Sequence, residues 1–136
     1  LASLEELMAA SDVISLHAPS LPQTRHMIGA AALARMKDGA TLINTARGAL
    51  VDEDALLAEL KTGRIEAVID VTDPEVPPPD SPFYSLPNVF LTPHIAGATG
   101  LERARLGDMA IAEIERFCCA VPLQQQVRPE HLDLIA

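Results

Sequence analysis

Residues 41–71, TLINTARGALVDEDALLAELKTGRIEAVIDV, hold the pattern that decides the fold. Thr41 to Asn44 is a short, mostly apolar run of the buried-strand type. Asp52 is a helix N-cap residue by type, helical sequence follows through Lys61, and Gly63 suits the position just past the C-terminus. Ala67 to Val71 is again a strand. Strand, helix and strand at this spacing make one crossover unit. Strands this apolar belong to a parallel sheet covered on both faces by right-handed crossovers, a doubly wound α/β arrangement.

The same alternation extends in both directions. Ser3 and Glu6 form a capping-box pattern opening a helix through Ala10, and Asp12 to Leu16 is a β-branched run that ends at His17-Ala18-Pro19. Helical sequence from Ala30 to Lys37 breaks at Gly39. Six of the eleven prolines fall between Pro74 and Pro87, which predicts an irregular loop. Val89 to Thr92 is a fourth short strand. Thr99 with Glu102 offers another capping box for a helix of about five turns, whose apolar face is Leu101, Ala104, Met109, Ala112, Ile114 and Phe117. The expected organisation is about four parallel strands and a long C-terminal helix within residues 1–122, then a polar tail over 123–136.

Composition narrows the function classes. The chain has 136 residues, 10 Lys and Arg against 19 Asp and Glu, and a net charge of -9. A nucleic-acid surface needs clustered cations, so none is expected. No apolar run reaches the roughly 18–20 residues of a membrane span, which predicts a soluble, cytoplasmic protein with no membrane contact. Cys118 and Cys119 are adjacent, which excludes an ordinary disulfide between them and gives no metal spacing; two buried or half-buried small side chains are expected. The four His lack zinc-site spacing, so no metal is predicted. The start at Leu1, without Met, suits a segment of a longer protein.

Each expected strand ends in a polar cluster: His17-Ala18-Pro19, Asn44 to Gly48, Asp70 to Glu75, and Thr92 to Gly97. In open α/β sheets the ligand crevice lies outside the carboxyl ends of the strands, so the clusters should converge on one site. Four strings, LHAPSLPQTRHMI, LINTARGALVDEDAL, DVTDPE and LPNVFLTPHIAGAT, in this order and spacing, resemble the D-2-hydroxyacid dehydrogenase family over roughly residues 1 to 122. The resemblance implies the C-terminal part of a Rossmann-like NAD-binding domain. It also implies hydride transfer between NAD, with NADP as an option, and the C2 of a small 2-hydroxy or 2-oxo acid.

What the resemblance implies for single residues follows the matched motifs. Arg47 would hold the substrate carboxylate and polarise the 2-oxo group. His94 would be the acid/base, and Glu75 would orient its ring and favour the charged form; Asp73 and Glu66 are competing carboxylates. Asp70 would face the nicotinamide side of the cofactor, and a buried carboxylate there needs a ligand or backbone donor to meet it. Further cofactor contacts fall to Ala18, Pro19, Thr24, Thr45, Ala46 and Gly97, alongside Arg47 and His94; Pro19, Thr24 and Gly48 have an equal claim as turn formers. The family also implies a homodimer in the full-length protein.

The sequence departs from the family pattern in two respects, lacking the first βαβ unit with its glycine fingerprint and the substrate domain. No Gly-x-Gly-x-x-Gly occurs, nor the acidic residue expected beyond it, so these residues alone should bind the dinucleotide weakly and activity is expected of the full-length protein. Two other readings stand beside the enzyme: a nucleotide-sensing binding protein on the same fold, and a partly folded remnant with neither function. Arg47, Glu75 and His94 together favour the enzyme, since a sensor needs no proton donor beside a nicotinamide.

Overall fold

A computed structural model describes residues 1–130. The chain forms two compact units, one over residues 1–94 and one from Ile95 onward.

The first unit is a four-stranded parallel sheet in chain order: β1 (Val13–Leu16), β2 (Thr41–Asn44), β3 (Glu66–Ile69) and β4 (Val89–Leu91). Leu16 pairs with Asn44, Asn44 with Ile69, and Ile69 with Leu91, so the four carboxyl ends lie side by side on one edge. Helix α1 (Leu4–Ala10) begins with the Ser3 and Glu6 capping box, both halves of which are formed. Helix α3 (Glu53–Lys61) is capped by the Asp52 side chain, which accepts from the Ala55 N–H at 3.1 Å. Gly63 follows it in the left-handed region at φ +74.

Right-handed crossovers between neighbouring strands in chain order put their helices on one face. Accordingly α1 touches α2 (Ala30–Leu33) and α2 touches α3. Met8, Leu33, Leu56 and Leu60 from the helices pack with Ile14, Leu16, Leu42 and Ile69 from the strands in one core. Burial therefore alternates along β1 to β3, and the opposite face of this unit carries exposed Val13 and Glu66 and half-buried Ile43 and Val68. The expected cover on both faces thus differs within this unit, because a second helical layer needs a reversal of strand order that β1 to β4 do not contain. The α/β, Rossmann-like class stands.

Local boundaries differ where tertiary contacts override the pattern. Helix α2 ends at Leu33 rather than Lys37, because the Arg64 guanidinium takes the Leu33 carbonyl at 2.8 Å and also the Met36 carbonyl. Arg64 is anchored in turn by Glu59 at 2.6 Å. Asp70 and Val71 leave β3, although the Asp70 N–H still donates to the Asn44 carbonyl at 2.9 Å. The proline-rich loop contains one 3-10 turn, Pro82–Tyr84, whose Phe83 is buried in the core.

The second unit consists chiefly of α4 (Glu102–Cys118). The Thr99 capping box does not form: Leu101 is the N-cap, without a side-chain bond, and Thr99 contributes its backbone carbonyl to the Glu102 N–H. Cys118 and Cys119 are exposed, against expectation, since α4 buries no side chain among the described residues. Of the tail, Gln124 and Gln125 donate backbone N–H groups to Glu113 at 3.0 Å, while residues 131–136 lie outside the described residues. No helix among the described residues is long and apolar enough to cross a membrane.

Replacing Arg64 by Ala removes at once its bonds to the Leu33 and Met36 carbonyls and its ion pairs with Glu59 and Asp38. The variant should lose about 1–3 kcal/mol of stability in urea unfolding, the scale of hydrogen bonds to charged groups, and a change within error would contradict this role.

Candidate active site at the strand ends

Asn44 is 1% exposed at the end of β2. Its side-chain oxygen accepts the Ala46 N–H at 3.1 Å and its amide donates to the Arg47 carbonyl at 2.9 Å. One buried amide therefore folds the turn over residues 44–47. Thr45 and Ala46 are left half-buried, and Arg47 is sent outward, its guanidinium donating to the Ala46 carbonyl at 2.7 Å.

Gly48 packs this turn against the chain after β3. A β-carbon there would stand 2.1 Å from the Thr72 carbonyl carbon and 2.6 Å from the Asp73 nitrogen, so only glycine fits. The close approach, not merely a turn, explains the residue.

Past β3 and β4 the ladder continues into the site. The Thr92 N–H donates to the Ile69 carbonyl and the His94 N–H to the Asp70 carbonyl, both at 2.9 Å. His94 takes a left-handed backbone conformation, φ 53, which a non-glycine residue adopts only when its surroundings impose it. Its Nδ1 lies 2.8 Å from Glu75 Oε1. An ionised carboxylate can only accept, so Nδ1 carries the hydrogen and Nε2 is left for other chemistry.

Arg47, Gly48, Val71, Thr72, Glu75 and His94 line one cleft of about 210 Å³. Both side chains of the His94–Glu75 pair remain open to solvent, 44% and 73% exposed. A second, larger recess of about 520 Å³ adjoins it, sharing Thr72, Glu75 and His94 and reaching Asp70 and Tyr84.

The sequence-derived residues therefore divide. Arg47, Glu75 and His94 come together. Asp73 instead pairs with Arg25 at 3.2 Å, and Glu66 sits at the start of β3, away from the carboxyl edge. Asp70 is 3% exposed, and the Thr92 hydroxyl donates to its Oδ1 at 2.5 Å. Thr24 closes the loop after β1, donating to the Pro19 carbonyl at 2.6 Å and accepting from the Leu21 N–H, while Ala18 packs against the core. Gly97 belongs to the second unit. Asn44 and Thr92 carry structural roles that motif reading missed; an amide at the end of an apolar strand was the available signal for the first. Among the described residues no group of His, Cys, Asp and Glu is placed to hold a metal ion.

A parallel α/β sheet with a guanidinium, a carboxylate and an imidazole around one cleft at its carboxyl edge places the chain in the open α/β class, with the cleft where such sheets hold their ligands. The family model for the NAD binding domain of D-isomer specific 2-hydroxyacid dehydrogenases matches residues 1–96, and the chain belongs to that family. It is 46% identical over 126 residues to a glycerate dehydrogenase of Methylorubrum extorquens, covering 90% of this chain and 40% of the relative. It is 45% identical over 115 residues to a glyoxylate reductase of Korarchaeum cryptofilum, covering 84% of this chain and 35% of the relative. A D-isomer specific 2-hydroxyacid dehydrogenase from Xanthobacter autotrophicus Py2, solved in complex with NADPH and MES, superposes with a TM-score of 0.80 at 36% identity, covering 94% of this chain and 52% of that one. The chain thus spans less than half the length of the curated relatives named here.

Gly48→Ala should force the 47–50 and 72–73 segments apart. A thermal midpoint lowered by several degrees is expected, since overpacking costs typically about 1–3 kcal/mol, and a midpoint equal to that of the parent would exclude the close approach.

Proposed function

We propose that the complete protein is an oxidoreductase acting on a small D-2-hydroxy acid or the matching 2-oxo acid with NAD or NADP, and that this chain supplies its proton-transfer and carboxylate-binding side. The single observation that carries the reading is the cleft shared by Arg47, Glu75 and His94, with His94 Nδ1 tied to Glu75.

The Arg47 guanidinium is planar and permanently charged, suited to a two-point grip on a substrate carboxylate that also polarises the adjacent 2-oxo group. With Nδ1 engaged by Glu75, Nε2 is the His94 nitrogen left to act as acid and base. In reduction the imidazolium gives its Nε2 proton to the carbonyl oxygen as C2 gains a hydride, and the neutral ring takes that proton back in oxidation. Glu75, through its bond to Nδ1, fixes the ring's orientation, a division of labour familiar from paired His and carboxylate sites.

A nicotinamide cofactor would supply or accept the hydride. The residues present fit its nicotinamide end, with an open rim of strand termini, the half-buried backbone of Thr45 and Ala46, and the Asp70 carboxylate at the end of β3. Ala18, Pro19, Thr24, Thr45, Ala46, Asp70 and Gly97 are the proposed contacts, with Arg47 and His94 at the reacting end. The named relatives act on glycerate and glyoxylate by their names, which supports a short 2-hydroxy or 2-oxo acid as substrate. A homodimer in the complete protein belongs to the same proposal and rests on the family resemblance.

With the complete protein, NADH oxidation should be followed on glyoxylate, hydroxypyruvate and pyruvate. His94→Ala should lower kcat by about 100-fold or more on whichever acid is turned over, and an unchanged rate would end the acid/base assignment. Arg47→Lys keeps the charge but loses the fork, and should raise KM for the 2-oxo acid by about 10-fold or more while KM for NADH stays constant.

A further inference from the structure

Glu75 is the weakly supported member of the cleft by its own surroundings. Its side chain is 73% exposed, so its position is inherited from the backbone of the turn over residues 72–75. That turn is held by two residues of the cleft wall and by one group outside the cleft. The Thr72 hydroxyl donates to the Glu75 carbonyl at 2.9 Å, and Gly48 admits the Thr72 and Asp73 backbone. From α3, Glu53 Oε1 accepts the Asp73 N–H at 2.6 Å, across 20 residues of chain.

The placement of Glu53 is unusual for an acidic residue in a first helical turn. Such a residue ordinarily faces water and interacts with the helix dipole. Glu53 is instead half-buried, with Asp54 and Asp73 as like-charged neighbours and His26 on the opposing side. Burial pushes its carboxyl above the usual range, the charges of Asp73 and Asp54 push the same way, and the Asp73 N–H bond and His26 oppose them. A carboxylate set against these costs is retained for the contact it makes. Arg25 offsets the Asp73 charge at 3.2 Å, but both side chains of that pair are largely exposed, so the pair is a weak tether.

We propose that Glu53 is a positioning residue for the reaction: through its bond to the Asp73 N–H it fixes the turn that presents Glu75 to His94. The inference rests on the reading of Glu75 and His94 as the acid/base pair. Misplacing a catalytic group by about 1 Å costs up to about 100-fold in rate, so loss of this single tether should be visible in turnover.

Two substitutions separate the tether from the charge. Glu53→Asp keeps an acid at the start of α3 but is one methylene too short to reach the Asp73 N–H. Glu53→Gln gives up the charge and keeps the accepting oxygen. In the complete protein, with folding checked by thermal melting, Glu53→Asp should lower kcat about 10-fold with KM for NADH unchanged, and Glu53→Gln should retain parental turnover. In a Glu75→Gln background, Glu53→Asp should bring no further loss, because the tether acts only through Glu75. Parental activity in Glu53→Asp, or losses that multiply in the double variant, would overturn the inference while leaving the acid/base pair in place. A harmless Glu75→Gln would instead overturn the pair itself, and the inference with it.

Discussion

The His94 N–H donates to the Asp70 carbonyl at 2.9 Å, and the rest of the site depends on this bond. It lies beyond the last residues of β3 and β4, as an extension of a ladder whose register is set by Ala67, Val68 and Ile69 against Val89, Phe90 and Leu91. A slip of one residue in that pairing would bury the other face of each strand and turn His94 away from Glu75. The core residues Ala67 and Ile69, buried on the helix-covered face, therefore govern where an imidazole more than 20 residues further along the chain stands. The same bond holds His94 in a left-handed conformation that the residue would otherwise leave.

The unit is built asymmetrically around this edge. Its apolar side chains gather beneath the sheet under α1, α2 and α3, while Arg47, Glu75 and His94 above the strand ends remain open to solvent. Rigid backbone and exposed chemistry are thus separated. Buried polar groups at the strand ends, Asn44, Asp70 and Thr72, convert strand register into side-chain placement, each through a hydrogen bond within the protein. Glu75 and His94 can stay accessible because their positions are fixed from below.

Much of this was legible in the residues themselves. The β1, β2 and β4 runs, the Ser3 and Asp52 caps and the Gly63 stop rely on local chemistry, and each appears where the pattern placed it to within one residue. Strand-end polar clusters in a parallel sheet share an edge, and within them it was the family resemblance that singled out Arg47, Glu75 and His94. What escaped depends on partners distant in sequence. The end of α2 is set by Arg64, about 30 residues away, the Thr92 hydroxyl reaches Asp70 across 22 residues, and the reason for Gly48 is the backbone of Thr72. The Thr99 box failed for a different reason: the chain enters α4 already helical at Leu101, which leaves the Thr99 hydroxyl without its role.

The shared cleft is tested most directly by a crystal structure of the complete protein with NADH and oxamate, a non-reacting analogue of a 2-oxo acid. The oxamate carboxylate should rest on the Arg47 guanidinium, with its carbonyl oxygen within hydrogen-bond reach, about 3 Å, of His94 Nε2. Oxamate bound elsewhere, with Arg47 and His94 both turned to solvent, would contradict the assignment of this edge as the active site.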